Sequence, residues 1–184
     1  MGELDVAPAL TRADLLAPPV AAALAALDGT LPADAVGVAE IDPALADTAA
    51  FCAAYGYPPQ DSANTILVVG KSDPPCYAAC VVLAPTRLDV NRAVRQRLGT
   101  RKASFASAED TRRLTGMMIG GVTIFGLPPN LPIWVDARVM ARERVILGGG
   151  SRSSKVLVRP SALLALPGLE VVEGLATEAP PGQA

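Results

Sequence analysis

Thr115-Gly-Met-Met-Ile-Gly-Gly-Val-Thr-Ile-Phe-Gly-Leu-Pro128 is the most informative stretch of the chain. Gly116, Gly120, Gly121 and Gly126 fall within eleven residues. Glycines at this density let a backbone approach a ligand closely and turn its N–H groups toward a carbonyl oxygen or phosphate, without charged side chains. The alternative is a tight structural turn between a helix and a strand. No Gly-Lys-Ser/Thr ending follows, so this is not a P-loop. The stretch also lies in the longest uncharged run, Leu114 to Val135. Its glycines, with Pro128, Pro129 and Pro132, are incompatible with a membrane-spanning helix, and a buried loop-and-strand segment is expected.

Outward from this stretch, local signals place the flanking elements. Ser107-Ala-Glu-Asp opens a helix that runs to Leu114. Asp89 caps a helix over Val90–Leu98 that stops at Gly99, and Asp47 is placed to cap one ending at Gly56. A short helix is expected over Val20–Leu27, closed by Asp28-Gly29, and another starts at Pro160. Thr65–Val69 and Ala79–Leu83 form a hairpin-like pair of strands. Pro132–Val135, Arg144–Leu147, Lys155–Val158 and Leu169–Val172 are further short strands. Strands in clusters broken by helices, without βαβ alternation, indicate an α+β fold with a mixed, mostly antiparallel sheet.

A second glycine cluster, Gly148-Gly-Gly-Ser-Arg-Ser-Ser-Lys155, joins two of these strands. It suits a ribose or phosphate contact, or it is a plain flexible hairpin. Arg101-Lys102-Ala-Ser-Phe105 carries adjacent cations. If this is a strand, only one of them points inward, and it then needs an anion or carbonyl partner; otherwise both lie on the surface.

The 184 residues suit one domain with a real core, built mainly from Ala, Val, Leu and Ile because aromatics are 4% of the chain. Histidine is absent, which excludes Ser-His-Asp and Cys-His catalysis and a histidine metal site. Cys52, Cys76 and Cys80 form no disulfide framework and fit a reducing compartment. Cys76-x-x-x-Cys80 lacks a second pair, so structural thiols are expected and no metal or cofactor is implied. The N-terminus carries Glu3 and Asp5 ahead of Arg12, the wrong polarity for a secretory signal, so a soluble, cytoplasmic protein without membrane attachment is expected. The net charge of −2 hides a split. Residues 1–61 hold one basic and nine acidic residues, whereas 62–160 hold fifteen basic and six acidic. A polyanion such as nucleic acid would be drawn to the middle segment, unless the acidic N-terminal part balances it internally.

Five motifs in order resemble one family: Asn64-Thr-Ile-Leu-Val-Val, Arg101-Lys-Ala-Ser-Phe-Ala, the Thr115–Leu127 stretch, Val135-Asp136 and Gly148-Gly-Gly-Ser-Arg. The chain resembles the YbaK/EbsC proteins, the aminoacyl-tRNA editing domains that include the Cys-tRNA(Pro) deacylases. Ile41–Cys52 is similar to an actinobacterial-type branch. The resemblance implies a barrel-like, mostly antiparallel sheet flanked by helices over about residues 35–175. Residues 1–34 would then be an N-terminal helical extension and 176–184 a disordered tail. It implies a trans-editing deacylase hydrolysing the ester between a wrong amino acid and the terminal adenosine of tRNA, possessing no cofactor. The alternative is a tRNA- or aminoacyl-binding module with weak or no hydrolysis. The partners implied are aminoacyl-tRNA and an aminoacyl-tRNA synthetase.

Carried over by residue, Gly120, Gly121, Asn64 and Lys102 would be the catalytic set. Thr115, Gly116, Val122, Thr123, Ile124 and Gly126 would complete the glycine wall. Ser104 would line the pocket beside Lys102, and Asp136 would orient a loop or the substrate. Gly149, Gly150 and Arg152 would approach the terminal nucleotide. The family pattern has a lysine at the place of Asn64 and a proline at that of Ile124.

Overall fold

The computed structural model describes residues 4–179. One sheet has the order β1 (Ala7–Pro8), β2 (Val36–Glu40), β9 (Ser154–Val158), β8 (Val145–Gly148), all antiparallel. The second has the order β10 (Leu169–Val172), β7 (Ile133–Asp136), β4 (Cys76–Leu83), β3 (Ala63–Gly70), β6 (Ala103–Phe105). Its first two pairings are parallel and the rest antiparallel. β5 (Thr86–Leu88) and β11 (Ala176–Glu178) make a small third sheet. A parallel bridge between Ser62 and Ile146 joins the two large sheets at one corner. The fold is therefore α+β with mostly antiparallel pairing, as the strand clustering indicated.

Both large sheets face one core. Val36, Val38, Val145, Leu147, Val156 and Val158 come from the first sheet, and Ala63, Val81, Leu83, Ile133 and Val135 from the second. Residues alternate across a strand, so β4 turns Val81 and Leu83 to this core and Ala78, Cys80 and Val82 to a second cluster on the opposite face. A strand buried on both faces explains its unbroken apolar run. Cys80 lies in that second cluster, where burial pushes its thiol up to about 12, as a packed apolar group rather than a nucleophile or ligand.

The helices follow their caps with two exceptions. Ser107 Oγ accepts from the Asp110 amide at the start of α4 (Ala108–Thr115), and Gly116 closes it with φ +68°. Asp89 accepts from the Arg92 amide, but the helix it caps opens with a π-turn, Val90–Val94, before α3 (Arg95–Arg97). Asp47 precedes α2 (Thr48–Tyr55) without capping it, because its carboxylate pairs with Arg152. Two short helices, α5 (Ala137–Met140) and α6 (Pro160–Leu163), follow strands of the two sheets.

Both ends of the described residues pack into this body. The N-terminal segment is helical, and its α1 (Pro18–Ala26) buries Val20 and Leu24 in the shared core with Leu16 and Ala17. The expected disordered tail begins with strand β11, whose Ala176 is buried; residues 180–184 lie outside the described residues. Asp136 is the reason. Its carboxylate, 1% exposed with its residue, accepts from the Ala176 amide at 2.9 Å and pairs with Arg138, which donates to the Ala176 carbonyl. Burial alone would raise the Asp136 pKa, but the Arg138 side chain and the Arg138 and Ala176 amides outweigh it and hold it below the ordinary carboxylate range. The stability this gives is complete above the unfolded carboxylate range and is lost as pH falls through the depressed value. Asp136→Asn is expected to cost about 2–4 kcal/mol in denaturant unfolding, with a flatter loss of stability toward acid. An unchanged acid limb would remove Asp136 from this role.

Among the described residues no helix is long and apolar enough to cross a membrane.

Candidate active site

A cleft of about 340 Å³ opens where the two large sheets meet. Its walls are the start of α2 (with Ala46 and Asp47 just before it), the first half of β3, the end of β6, the loop Ile119–Val122, and Gly148 and Lys155 from β8 and β9. Asn64, Gly120 and Val122, all expected site residues, are thereby brought together.

Lys155 dominates the electrostatics. It is 7% exposed and its Nζ donates to the Ala46 carbonyl at 2.8 Å. The ammonium also lies 5.3 Å from the centre of the Phe51 ring. Among the described residues it forms no ion pair, since Asp47 is engaged by Arg152. Burial lowers its pKa below the usual lysine range, against partial compensation from Cys52 and Asp47. A buried cation with one protein acceptor keeps two N–H donors for whatever enters the cleft.

Three neutral groups share the lining. Asn64 Oδ1 accepts from Thr48 Oγ1 at 2.9 Å, which fixes the orientation of the Asn64 amide. Thr65 Oγ1 is buried without a hydrogen-bond partner among the described residues. The edge of β3 is open here, because β6 pairs only with Val68–Gly70. The Leu67 carbonyl accepts from the Ala106 amide on that side; backbone groups alternate along a strand, so the Thr65 N–H and C=O face the same open side.

The glycines divide into lining and support. The amides of Gly120 and Val122 donate to no protein acceptor among the described residues, whereas Gly121 donates to the Met118 carbonyl. Gly120 has φ +89°, and the Arg152 guanidinium packs against its Cα. Gly121 and Gly148 let two loops pass back to back: a Cβ on Gly121 would lie 2.0 Å from the Ser151 carbonyl oxygen, and one on Gly148 would lie 2.1 Å from that of Gly121.

Several expected site residues lie elsewhere. Lys102 is exposed, and its carbonyl rather than its ammonium holds the fold, accepting from the Lys71 amide and Thr100 Oγ1. Ser104 lines a neighbouring hollow. Thr115 donates to the Thr111 carbonyl and accepts from the Met117 amide, closing α4 with Gly116. Thr123 and Ile124 are buried, Ile124 in the shared core. Gly126 packs on the Pro19 carbonyl and Gly150 on Ala17 and Val20, so both are small to let α1 seat. Gly149 donates to Ser154 and accepts from Ala17. Arg152 spans Gly120, Asp47 and the Pro43 carbonyl at the rim. Asp136 tethers β11 and does not line the cleft.

Sequence reasoning gives no signal for Thr48; it places Gly148 and Lys155 in a cluster suited to a ribose or phosphate contact without assigning either to the cleft. The demand for a carbonyl partner, placed on Lys102, is met by Lys155.

The residues that line the cleft, from Ala46 to Lys155, fall within a match to a known family. The aminoacyl-tRNA editing domain matches residues 42–166, and the chain belongs to that family. Its fold is similar to the crystal structure of a candidate trans-editing enzyme for prolyl-tRNA synthetase, 26% identical over 89% of this chain and 99% of the other, with a TM-score of 0.71. It is also similar to the hypothetical protein APE2540, 26% identical over 72% of this chain and 85% of the other, with a TM-score of 0.64. A scaffold protein used for epitope backbone grafting shares the fold, with a TM-score of 0.70 and 24% identity over 89% of this chain and 100% of the other.

Proposed function

We propose that this protein is a trans-editing deacylase of the cytoplasm that hydrolyses the ester of a mischarged tRNA, with the terminal aminoacyl-adenosine in the cleft. Family membership supports the substrate class, and the single observation that carries the chemistry is the buried Lys155 ammonium, without an ion pair among the described residues, beside the Gly120 and Val122 amides that donate to no acceptor there.

In this reading water attacks the ester carbonyl. The negative charge developing on its oxygen meets the Lys155 ammonium and the free loop amides, donors already fixed before reaction. The Asn64 amide, oriented by Thr48, and the open Thr65 backbone edge hold the aminoacyl group, the Thr65 carbonyl accepting from the substrate ammonium. One proton of the attacking water passes to solvent, and the terminal ribose oxygen takes a proton from solvent as the ester bond breaks, leaving the free amino acid and the tRNA hydroxyl. Lys155 supplies in space the charge that Asn64 lacks in sequence.

Purified protein is expected to release amino acid from at least one member of a panel of mischarged tRNAs, beginning with prolyl tRNA because of the similar structure. Binding of tRNA without release from any of them would replace this reading with that of a binding module. A synthetase that supplies the mischarged tRNA is the partner to seek by co-purification.

A further inference from the structure

The chain has three phenylalanines, and they are treated differently. Phe51 and Phe125 are fully buried, while Phe105 is 60% exposed. Phe105 ends β6 on a ridge, one side of which lines the cleft and the other a second open hollow of about 600 Å³. That hollow is lined by Arg87, Asn91 and Ser104. Asp89, also in its wall, is occupied by the Arg92 amide. Arg87 forms no ion pair among the described residues, in contrast to Arg142, Arg144, Arg152 and Arg159, whose partners are acids of the N-terminal part.

The acidic N-terminal part thus neutralises one share of the basic middle segment and leaves another free. Arg87, Arg92, Arg95, Arg101 and Lys102 form no ion pair among the described residues and lie on β5, the helix packed beside β6, and the turn leading into β6. An exposed aromatic face beside unpaired cations is how proteins hold single-stranded nucleic acid: bases stack on the ring and cations take the phosphates.

We propose that the hollow of Arg87, Asn91 and Ser104 takes the nucleotide preceding the terminal adenosine, with its base stacked on Phe105. This rests on the reading above, in which the adenosine itself occupies the cleft. The ridge then separates two consecutive nucleotides, Arg87 faces the phosphate of the outer one, and Asn91 and Ser104 offer hydrogen bonds to its base or ribose.

The test is calorimetric titration with the trinucleotide CCA and with adenosine, which needs no turnover. The parent is expected to bind CCA about 10-fold more tightly than adenosine. Phe105→Ala should bring that ratio close to unity, Phe105→Trp should retain it, and Arg87→Ala should reduce it and its salt dependence. Melting curves show that each variant is folded. A parent ratio near unity, or one that Phe105→Ala leaves unchanged, overturns the proposal. So does equal weakening of both ligands, which would place Phe105 against the terminal nucleoside. Phe105-dependent preference for CCA in a protein that releases no amino acid would uphold the hollow and sink the deacylase reading.

Discussion

Replacing Lys155 with methionine is expected to slow ester hydrolysis by about 100-fold at kcat, with a smaller change in KM. The effect is electrostatic. A fixed donor aimed at charge that develops during reaction acts on the transition state more than on the bound ester. Methionine keeps the length and apolar stem that pack against Phe51, and it removes a buried charge that has no carboxylate partner among the described residues. Stability should therefore hold or rise, although the Ala46 carbonyl loses its donor.

The pH dependence separates this role from packing. Burial depresses the Lys155 pKa, so the unfolded chain binds more protons at pH values between the depressed and ordinary lysine values, and stability from this group rises with pH there. Activity should do the opposite, falling as the ammonium deprotonates at lower pH than an exposed lysine would. Lys155→Arg, which does not titrate in that range, should lose this alkaline limb while retaining part of the rate. A Lys155→Met enzyme as fast as the parent, or an alkaline limb unchanged in Lys155→Arg, would remove Lys155 from the chemistry.

Gly121→Ala is expected to be the most damaging small substitution in the cleft wall, costing on the order of 3 kcal/mol in denaturant unfolding. The added Cβ would lie 2.0 Å from the Ser151 oxygen and within 3 Å of two further backbone atoms of Ser151. Neither backbone can yield easily. Gly150 donates to the Gly121 carbonyl at 2.7 Å, Met118 donates to the Gly150 carbonyl at 3.0 Å, and Ala17 donates to that of Gly149 at 3.0 Å, so the two loops and the start of α1 are clamped together. The penalty is steric rather than conformational. Gly148→Ala should act alike, because its Cβ would meet the Gly121 carbonyl from the other loop. By contrast, Gly29→Ala has open space and only its positive φ to overcome, so it should cost about 1 kcal/mol. Equal unfolding midpoints for Gly121→Ala and Gly29→Ala would contradict the packed-loop account.

These two glycines show what local sequence can carry. Glycine density at 116–126 and 148–150 was legible as close backbone approach, but the chemistry of the approach was not. At Gly121, Gly126, Gly148 and Gly150 the approaching group is the protein's own backbone or α1, whereas the Gly120 amide, like that of Val122, donates to no protein acceptor among the described residues. A glycine admits a ligand and a neighbouring loop for the same reason, the missing Cβ.

The sequence by itself determined the capped helix α4, the β3–β4 hairpin, the short strands β7 to β10, the split of charge and the ordered motifs of the editing family. Each is written in a few adjacent residues or in composition. Tertiary structure decided which lysine turns inward. Lys102 and Lys155 both stand beside short apolar runs, but β6 is a three-residue edge strand, whereas β9 lies between β2 and β8 with both faces covered, so Lys155 is enclosed and Lys102 is not. It also decided that residues 4–34 and 176–178 belong to the folded body. Burial is set by what distant segments lay over a strand, and that information is absent from the strand's own residues.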